Sequence, residues 1–591
     1  MIGNIIAIDK NEVYVKLTAS ALQEKSLIHR YVSMKQENRD IAGEIINVKD
    51  GIADINLVGE FVDGKFVFGV ISKPSASAQV TLVDESRVLD IISVVDYKEE
   101  KDLLIGKSAI YDNLPIAVNI NGFFSGHFAI FGSSGSGKSC GVSRIFQNLF
   151  TKPNPIPYRA SFFIFDAYGE YHSAFERLGE VVPEISFKSY TTNTRSNKGE
   201  LLRIPIWLLG VDDIALLLGA EKHSQIQIIE KALKLVTVFA KEESKVIKSK
   251  NDIIASAILD ILSSGKSSTS IRDQVISVLA KYHTSELNLD ALIEQPGYTR
   301  TFKQCLNIDA TGKLRDIELV TQFVSRFLTD DYTLVLPDGS FKYSLEDLKD
   351  AFDFALIAEG VLNSERIFDE ANILKVRVHA LANGDESIYF DYPEYISRDQ
   401  YIRVLLTLKD ERKAQIINFN INYIDDRLAK NITKIYSKLL FDYAKELDAR
   451  ATLPFHIILE EAHRYVQNDN DKFLLGYNIF ERITKEGRKY GVILGLISQR
   501  PSELSETALS QCSNFLIFKM LHPRDISFIQ EIVPNITTET VEKLKILQPG
   551  SCIAFGSAFK VPVLVRLQMP NPAPSSSSCD MEATWFVRKN Q

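Results

Sequence analysis

The chain has 591 residues, 45% of them hydrophobic and 24% charged. That is the profile of a soluble globular protein too long for one ordinary domain, and two or three are expected. A net charge of −8 excludes a protein that is basic all over, while leaving room for a basic channel lining inside an acidic shell.

Five scattered cysteines (Cys140, Cys305, Cys512, Cys552, Cys579) show no C-x-x-C pair or zinc-like His/Cys spacing. A reduced, cytoplasmic protein without structural metal is expected. The opening MIGNIIAIDKNEVY is no signal peptide, and no uncharged apolar run of about 18 residues predicts a membrane span.

Residues 1–95 carry short alternating apolar runs: NIIAI, VYVKL, GEIINV, ADINLV, KFVFGV and AQVTLV. Turn residues such as Lys49-Asp50-Gly51 separate them. The pattern predicts a small β-barrel, with a small sandwich as the alternative. Residues 96–126 form a connector that ends in PIAVNI, a strand entering the next domain.

His127 to Phe131 reads as a buried strand, and Gly132 to Ser139 fits G-x-x-x-x-G-K-[ST] at every fixed position. Backbone N–H groups across Gly132, Ser133, Ser134, Gly135, Ser136, Gly137, Lys138, Ser139 and Cys140 can surround phosphate oxygens at a helix start. Lys138 would reach the β and γ phosphates of ATP, and the Ser139 hydroxyl would ligate Mg²⁺. The alternative is a glycine-rich turn; the apolar strand before it and the helix-compatible CGVSRIFQNLF after it argue for nucleotide.

The next strand, SFFIFD, ends at Asp166 and runs into DAYGEY. A carboxylate at a parallel strand's carboxyl end can orient Mg²⁺ or water; it can equally be a helix N-cap. LLRIPIWLLG (201–210) is another buried stretch. From 212 to 395 apolar residues recur at i, i+3, i+4, predicting a helical insertion whose stripes are packing. Within it, 332–342 carries Pro337-Asp338-Gly339 and suggests a small hairpin. Strands are then expected at YIRVLLTL (401–408) and AQIINFNI (414–421), and a helix at about 425–447.

PFHIILEEAHR (454–464) is an apolar strand ending in two acidic residues, the Walker B pattern downstream of a phosphate loop. Glu460 is assigned to the metal shell and Glu461 to the attacking water. Successive strand residues face opposite ways, so the two do different jobs unless the strand has already ended. A solvated acidic pair opening a helix is the alternative. His463 is either paired with a neighbouring strand end or structural. The strand GVILGLIS leads to Gln499, placed to sense the γ-phosphate, and to Arg500. Strands near 514–521, 551–556 and 561–569 close the sheet. The Pro/Ser-rich tail 571–591 reads as an extended linker that Trp585 and Phe586 could anchor.

Four blocks, GSSGSGKS, DAYGEY, IILEEAHRY and EGRKYGVILGLISQRPSEL, together resemble the HerA branch of the FtsK–HerA superfamily of hexameric DNA-translocating ATPases. The resemblance covers most of the chain. It implies an α/β fold: a RecA-like P-loop NTPase core in two parts (96–211 and 396–570), an N-terminal β-barrel and a helical insertion. It further implies a homohexamer with ATP and Mg²⁺ between subunits and double-stranded DNA in the channel. An arginine finger would come from the neighbouring subunit; Arg488 matches best and Arg500 is the runner-up. Implied partners are a NurA-like nuclease in DNA end processing, or a Sir2-like or nuclease effector in anti-phage defence.

The leading expectation is an ATP-driven DNA translocase of helicase type. Its alternative is a ring scaffold that uses ATP as a switch to organise and regulate an effector. A small-molecule P-loop kinase would need neither barrel nor insertion. The segment Thr191–Lys198, with Arg195, and Lys472 are candidate pore contacts, with solvated surface as the alternative.

Overall fold

The computed structural model describes residues 1–24, 26–37, 39–93, 102–111, 114–152, 155–196, 198–329, 334–362, 365–532, 538–576 and 581–586. Cys579 lies outside them. The other four cysteines are free thiols. Among the described residues no helix is long and apolar enough to cross a membrane. The chain divides into two compact units.

The first unit holds Met1–Glu200, Val404–Asp469 and Asn478–Gln591. It opens with seven strands: β1 (Gly3–Asp9), β2 (Glu12–Leu17), β3 (Tyr31–Gln36), β4 (Arg39–Lys49), β5 (Ile52–Val62), β6 (Lys65–Phe68) and β7 (Gln79–Leu82). Their order is β2-β1-β7-β3-β4-β5-β6, and β5 also pairs with β2. Six strands therefore close on themselves, and β6 hairpins off β5. Alternation dictates the closure. Val13, Val15 and Leu17 of β2 are buried while Glu12 and Lys16 are exposed, so one face of each strand fills the interior. A barrel, and not a sandwich, is what forms. The strand Tyr31–Gln36 is absent from the six runs read in the sequence. Its burial runs through Tyr31, Val32, Ser33 and Met34 without alternating, because Ser33 donates to Asp40.

A helix, Glu85–Ile92, leads from barrel to core. Its Val88, Ile91 and Ile92 are buried in the same cluster as Phe124, Phe146 and Phe162. Each such side chain contributes about 1.5–3 kcal/mol through burial.

The core sheet uses β8 (Asp102–Ser108), β9 (Pro115–Asn119), β10 (His127–Phe131), β11 (Phe162–Asp166), β12 (Phe187–Thr191) and the two-residue β13 (Glu200–Leu201). Later come β16 (Ile416–Asn420), β17 (Phe455–Leu459), β18 (Val492–Ser498), β19 (Cys512–Phe518), β20 (Ser551–Gly556) and β21 (Val563–Arg566). Two short strands of the second unit, β14 (Leu292–Gln295) and β15 (Tyr298–Thr301), pair with each other. The sheet order is β13-β12-β16-β11-β17-β18-β10-β19-β20-β21-β8-β9. From β12 to β19 neighbours are parallel, and β20, β21, β8 and β9 continue antiparallel. Every residue of β10, β11, β17 and β18 is buried, as parallel strands covered on both faces require. The loops after these four adjacent strands share one edge of the sheet, where α/β folds bind ligands.

The second unit holds Leu201–Arg403 and Asn470–Tyr477, beside the insertion of 212–395 expected from periodicity. Its helices include His223–Phe239, Glu243–Ser263, Ser268–Tyr282 and Leu345–Leu362. Phe354 meets Phe239 at 5.1 Å and Tyr282 at 4.9 Å between ring centroids, so the apolar stripes are packing surfaces.

Two expectations are corrected. Residues 401–408 are not a strand: Arg398–Leu406 is a helix. Tyr401, Ile402, Leu405 and Leu406 are buried and Arg403 and Val404 exposed, a spacing of one helical turn. The hairpin expected at 332–342 does not form: residues 334–342 contain no strand, and 332 and 333 lie outside the described residues. Trp585 and Phe586 are exposed.

Candidate nucleotide-binding site

The phosphate loop leaves β10 and is fastened from both sides. The Gly132 N–H donates to the Ser498 carbonyl at 3.2 Å and the Ser133 N–H to the Lys519 carbonyl at 2.9 Å. Gly135 and Gly137 have φ of 72° and 87°, the left-handed region that side chains avoid. Gly137 is also crowded: a Cβ there would lie 2.6 Å from the Gly550 nitrogen. The helix Lys138–Phe150 starts at Gly137 without a side-chain cap. Its first N–H groups have no intrahelical partners and face the loop, a ready anion site. The Ser136 hydroxyl is buried without a partner among the described residues.

Lys138 is 6% exposed and its Nζ lies 3.4 Å from Oε1 of Glu461, itself 2% exposed. Burial lowers the Lys138 pKa, and Glu461 and then Glu460 oppose that drop. Gln499 bridges the site: its Nε2 donates to Glu461 Oε1, and its Oε1 accepts from the Ser134 hydroxyl at 2.6 Å. Nδ1 of His463 is 3.1 Å from the hydroxyl of Ser498, the last residue of β18, and 3.3 Å from Glu461. So His463 does pair with a neighbouring strand end.

Strand β17 stops at Leu459, and Glu461 has φ 48°. Strand alternation therefore no longer governs the acidic pair. Glu461 turns to Lys138 and Gln499, while Glu460 turns to Asp166. Burial and the Asp166 charge push the Glu460 pKa well up.

Asp166 differs from both expectations. Its Oδ1 accepts from the N–H groups of Gly169 and Glu170 at 2.8 and 3.0 Å, and its Oδ2 from that of Tyr171 at 3.0 Å. It is no helix N-cap, since the next helix, His172–Phe175, is capped at Tyr171. Its acceptor capacity is spent on shaping the DAYGEY turn, which argues against the metal-shell role. The turn instead delivers Glu170, whose carboxyl faces the Ser139 hydroxyl. Burial raises the Glu170 pKa, and Ser139 holds it down. Sequence reasoning named the motif and overlooked this residue; an acidic residue four places after a strand-end carboxylate was the available signal.

Lys138 thus stands among Asp166, Glu170, Glu460 and Glu461. The Oε2 atoms of the three glutamates are buried without hydrogen-bond partners among the described residues. An all-oxygen, anionic set of this kind suits Mg²⁺. No group of three or more His, Cys, Asp or Glu among the described residues could hold a metal ion unaided. Ser139, Glu460 and nucleotide phosphate together would do so, as is usual for this ion.

One predicted residue, Arg488, is not brought to the site. Arg488 is exposed in the turn Gly487–Tyr490, before β18 begins and so at the opposite end of the sheet from Lys138. There its charge acts on His127, at the start of β10. Arg500 follows Gln499 and lines one cavity with Ser133, Ser134 and Gln499, where its exposed guanidinium pairs with Glu503 at 2.9 Å. Cys140 follows Ser139 at the helix start and is half-buried; burial raises its thiol pKa and the Ser576 hydroxyl opposes the rise. Arg195 is exposed just beyond the carboxyl end of β12, and Lys472 is exposed in the second unit.

A phosphate loop on a parallel sheet, with acidic residues closing the adjacent strands, defines a P-loop NTPase. Residues 103–312 match the family described as "Helicase HerA, central domain". The DNA double-strand break repair helicase HerA of Saccharolobus solfataricus is 30% identical over 196 residues, which is 32% of this chain and 39% of that protein. The matched stretch thus spans well under two thirds of that relative. The probable DNA double-strand break repair helicase HerA of Methanocaldococcus jannaschii is 23% identical over 575 residues, 95% of each chain. Among solved structures, the bacterial conjugative coupling protein TrwBdeltaN70 aligns at 10% identity and a TM-score of 0.45, over 83% of this chain and 94% of that one. The chain is HerA-like.

Proposed function

We propose that this chain hydrolyses ATP with Mg²⁺ and uses the energy to move along double-stranded DNA as a homohexamer in the cytoplasm. One juxtaposition carries the reading. Lys138, Ser139, Glu460, Glu461 and Gln499 meet at the carboxyl ends of adjacent parallel strands. The names of the HerA relatives, DNA double-strand break repair helicases, supply the nucleic acid.

In this reading the loop N–H groups and Lys138 hold the phosphates. Lys138 exchanges its Glu461 partner for phosphate oxygen. Glu461, kept in place by Gln499, then accepts the proton of the attacking water. Ser139 and Glu460 would hold Mg²⁺, which supplies charge neutralisation for the transferred phosphoryl group. Arg488 of a neighbouring protomer stabilises the charge that develops there. DNA is held through its phosphates, without sequence preference and less tightly in salt. The partner is a NurA-like nuclease in end processing, or a Sir2-like or nuclease effector in anti-phage defence.

Lys138→Ala is expected to lose ATP turnover on the order of a hundredfold or more, and Glu461→Gln to bind nucleotide yet stall hydrolysis. Wild-type turnover in Lys138→Ala would refute the site. A triplex-displacement assay tests the motor: ATP-dependent stripping by the protein alone supports translocation. ATPase activity without stripping would leave the scaffold reading.

A further inference from the structure

Of the four carboxylates around Lys138, Asp166 and Glu461 are hydrogen-bonded to protein partners. Asp166 holds the N–H groups of Gly169, Glu170 and Tyr171. Glu461 is tied to Lys138 and Gln499, and Glu460 lies against Asp166. Glu170 faces the Ser139 hydroxyl and keeps a buried, unpartnered Oε2.

Glu170 is also braced from outside. Its carbonyl accepts from the Ser575 N–H at 2.9 Å. The irregular segment that supplies Ser575 is itself tied down. Gln147 accepts from the Asn571 N–H at 2.9 Å and donates to the Pro572 carbonyl at 2.8 Å, and the Ser173 hydroxyl donates to the Ala573 carbonyl at 3.0 Å. The start of the tail is therefore a strap on the phosphate-loop helix and the DAYGEY turn, where the sequence suggested a free linker. A turn clamped by Asp166 within and Ser575 without offers the site the Glu170 carboxylate, beside the buried Tyr171 hydroxyl. The fully buried Oε2 of Glu460 is likewise without a partner among the described residues.

We propose that Glu170 is a positioning residue for the divalent cation: it orients the Ser139 hydroxyl and accepts from a water in the cation's shell. This rests on the nucleotide reading above. It assigns to Glu170 the part that sequence reasoning gave to Asp166.

The test is the Mg²⁺ dependence of nucleotide binding by the full chain, read with a fluorescent ADP analogue. Glu170→Gln is expected to bind the analogue as wild type does in EDTA, while its half-saturating Mg²⁺ rises about tenfold or more. At saturating Mg²⁺ its ATP turnover recovers most of the wild-type value, a shift in metal KM and not in kcat. Glu170→Asp restores part of the Mg²⁺ affinity. Ser575→Pro, which removes the bracing N–H at an exposed position, shifts the Mg²⁺ requirement the same way by a smaller factor. An unshifted Mg²⁺ titration in Glu170→Gln, or equal weakening in EDTA and Mg²⁺, overturns the proposal. Separately, a wild-type chain that binds no analogue, or a Lys138→Ala chain that binds it normally, would overturn the nucleotide site itself.

Discussion

Glu461 sits where β17 has ended, with a φ of 48°. A non-glycine residue held there costs about 1–3 kcal/mol unless its surroundings enforce it. Lys138, Gln499 and His463 are those surroundings, and the strain aims the carboxylate across the mouth of the loop. Buried histidines make a second residue-scale consequence measurable. His456 stacks on Phe162 with centroids 4.5 Å apart, and its Nε2 donates to the Phe124 carbonyl at 2.9 Å. Burial lowers its pKa to about 4, against about 6.5 for an exposed imidazole. The folded chain resists protonation there. The stability from this group is complete above pH 6.5 and declines as pH falls from 6.5 toward 4, by about 3 kcal/mol in all. His127, brought to about 4 by burial and the Arg488 charge, acts in the same window and with the same sign. Denaturant midpoints should fall across that range. In His456→Phe they should fall less steeply, although the variant starts about 1–3 kcal/mol less stable because the Phe124 carbonyl loses its donor. An unchanged pH slope would exclude His456 as a source of the acid sensitivity.

The phosphate loop shows how sequence legibility depends on the element. Its glycines were readable as a pattern, but the reason for each differs. Gly135 has an open surrounding and only its φ of 72° to satisfy, whereas Gly137 abuts the Gly550 backbone. Gly135→Ala should cost on the order of 1 kcal/mol. Gly137→Ala should weaken nucleotide binding more, because backbone meets backbone and neither can rotate away. Equal effects in a nucleotide titration would show that the Gly550 contact is unimportant. The strands β10, β11, β17 and β18 were legible because full burial leaves a plain apolar run. Residues 401–408 misled for the same reason: a short apolar run suits a buried strand or a buried helix, and only the exposure of Arg403 and Val404 separates them. Asp166 and Glu170 could not be told apart, since hydrogen bonds to backbone N–H groups leave no mark in composition.

Across the whole molecule, Arg488 and Lys138 occupy opposite ends of the core sheet, so the proposed finger can serve only another copy of the chain. Arg488→Ala should reduce ATP turnover on the order of a thousandfold while leaving nucleotide binding intact. Mixing it with Lys138→Ala should return part of the activity, because some interfaces then pair an intact loop with an intact arginine. Absence of recovery together with full activity in Arg488→Ala alone would transfer the role to Arg500. The position of β10 has one more consequence. It lies between β18 and β19, and the Leu494 amide that binds His127 comes 367 residues later in the chain. During translation the loop-bearing strand therefore emerges from the ribosome long before either flanking strand exists. Its apolar faces must be shielded through most of the chain's synthesis, and the ability to hold a nucleotide arrives only near the end of it.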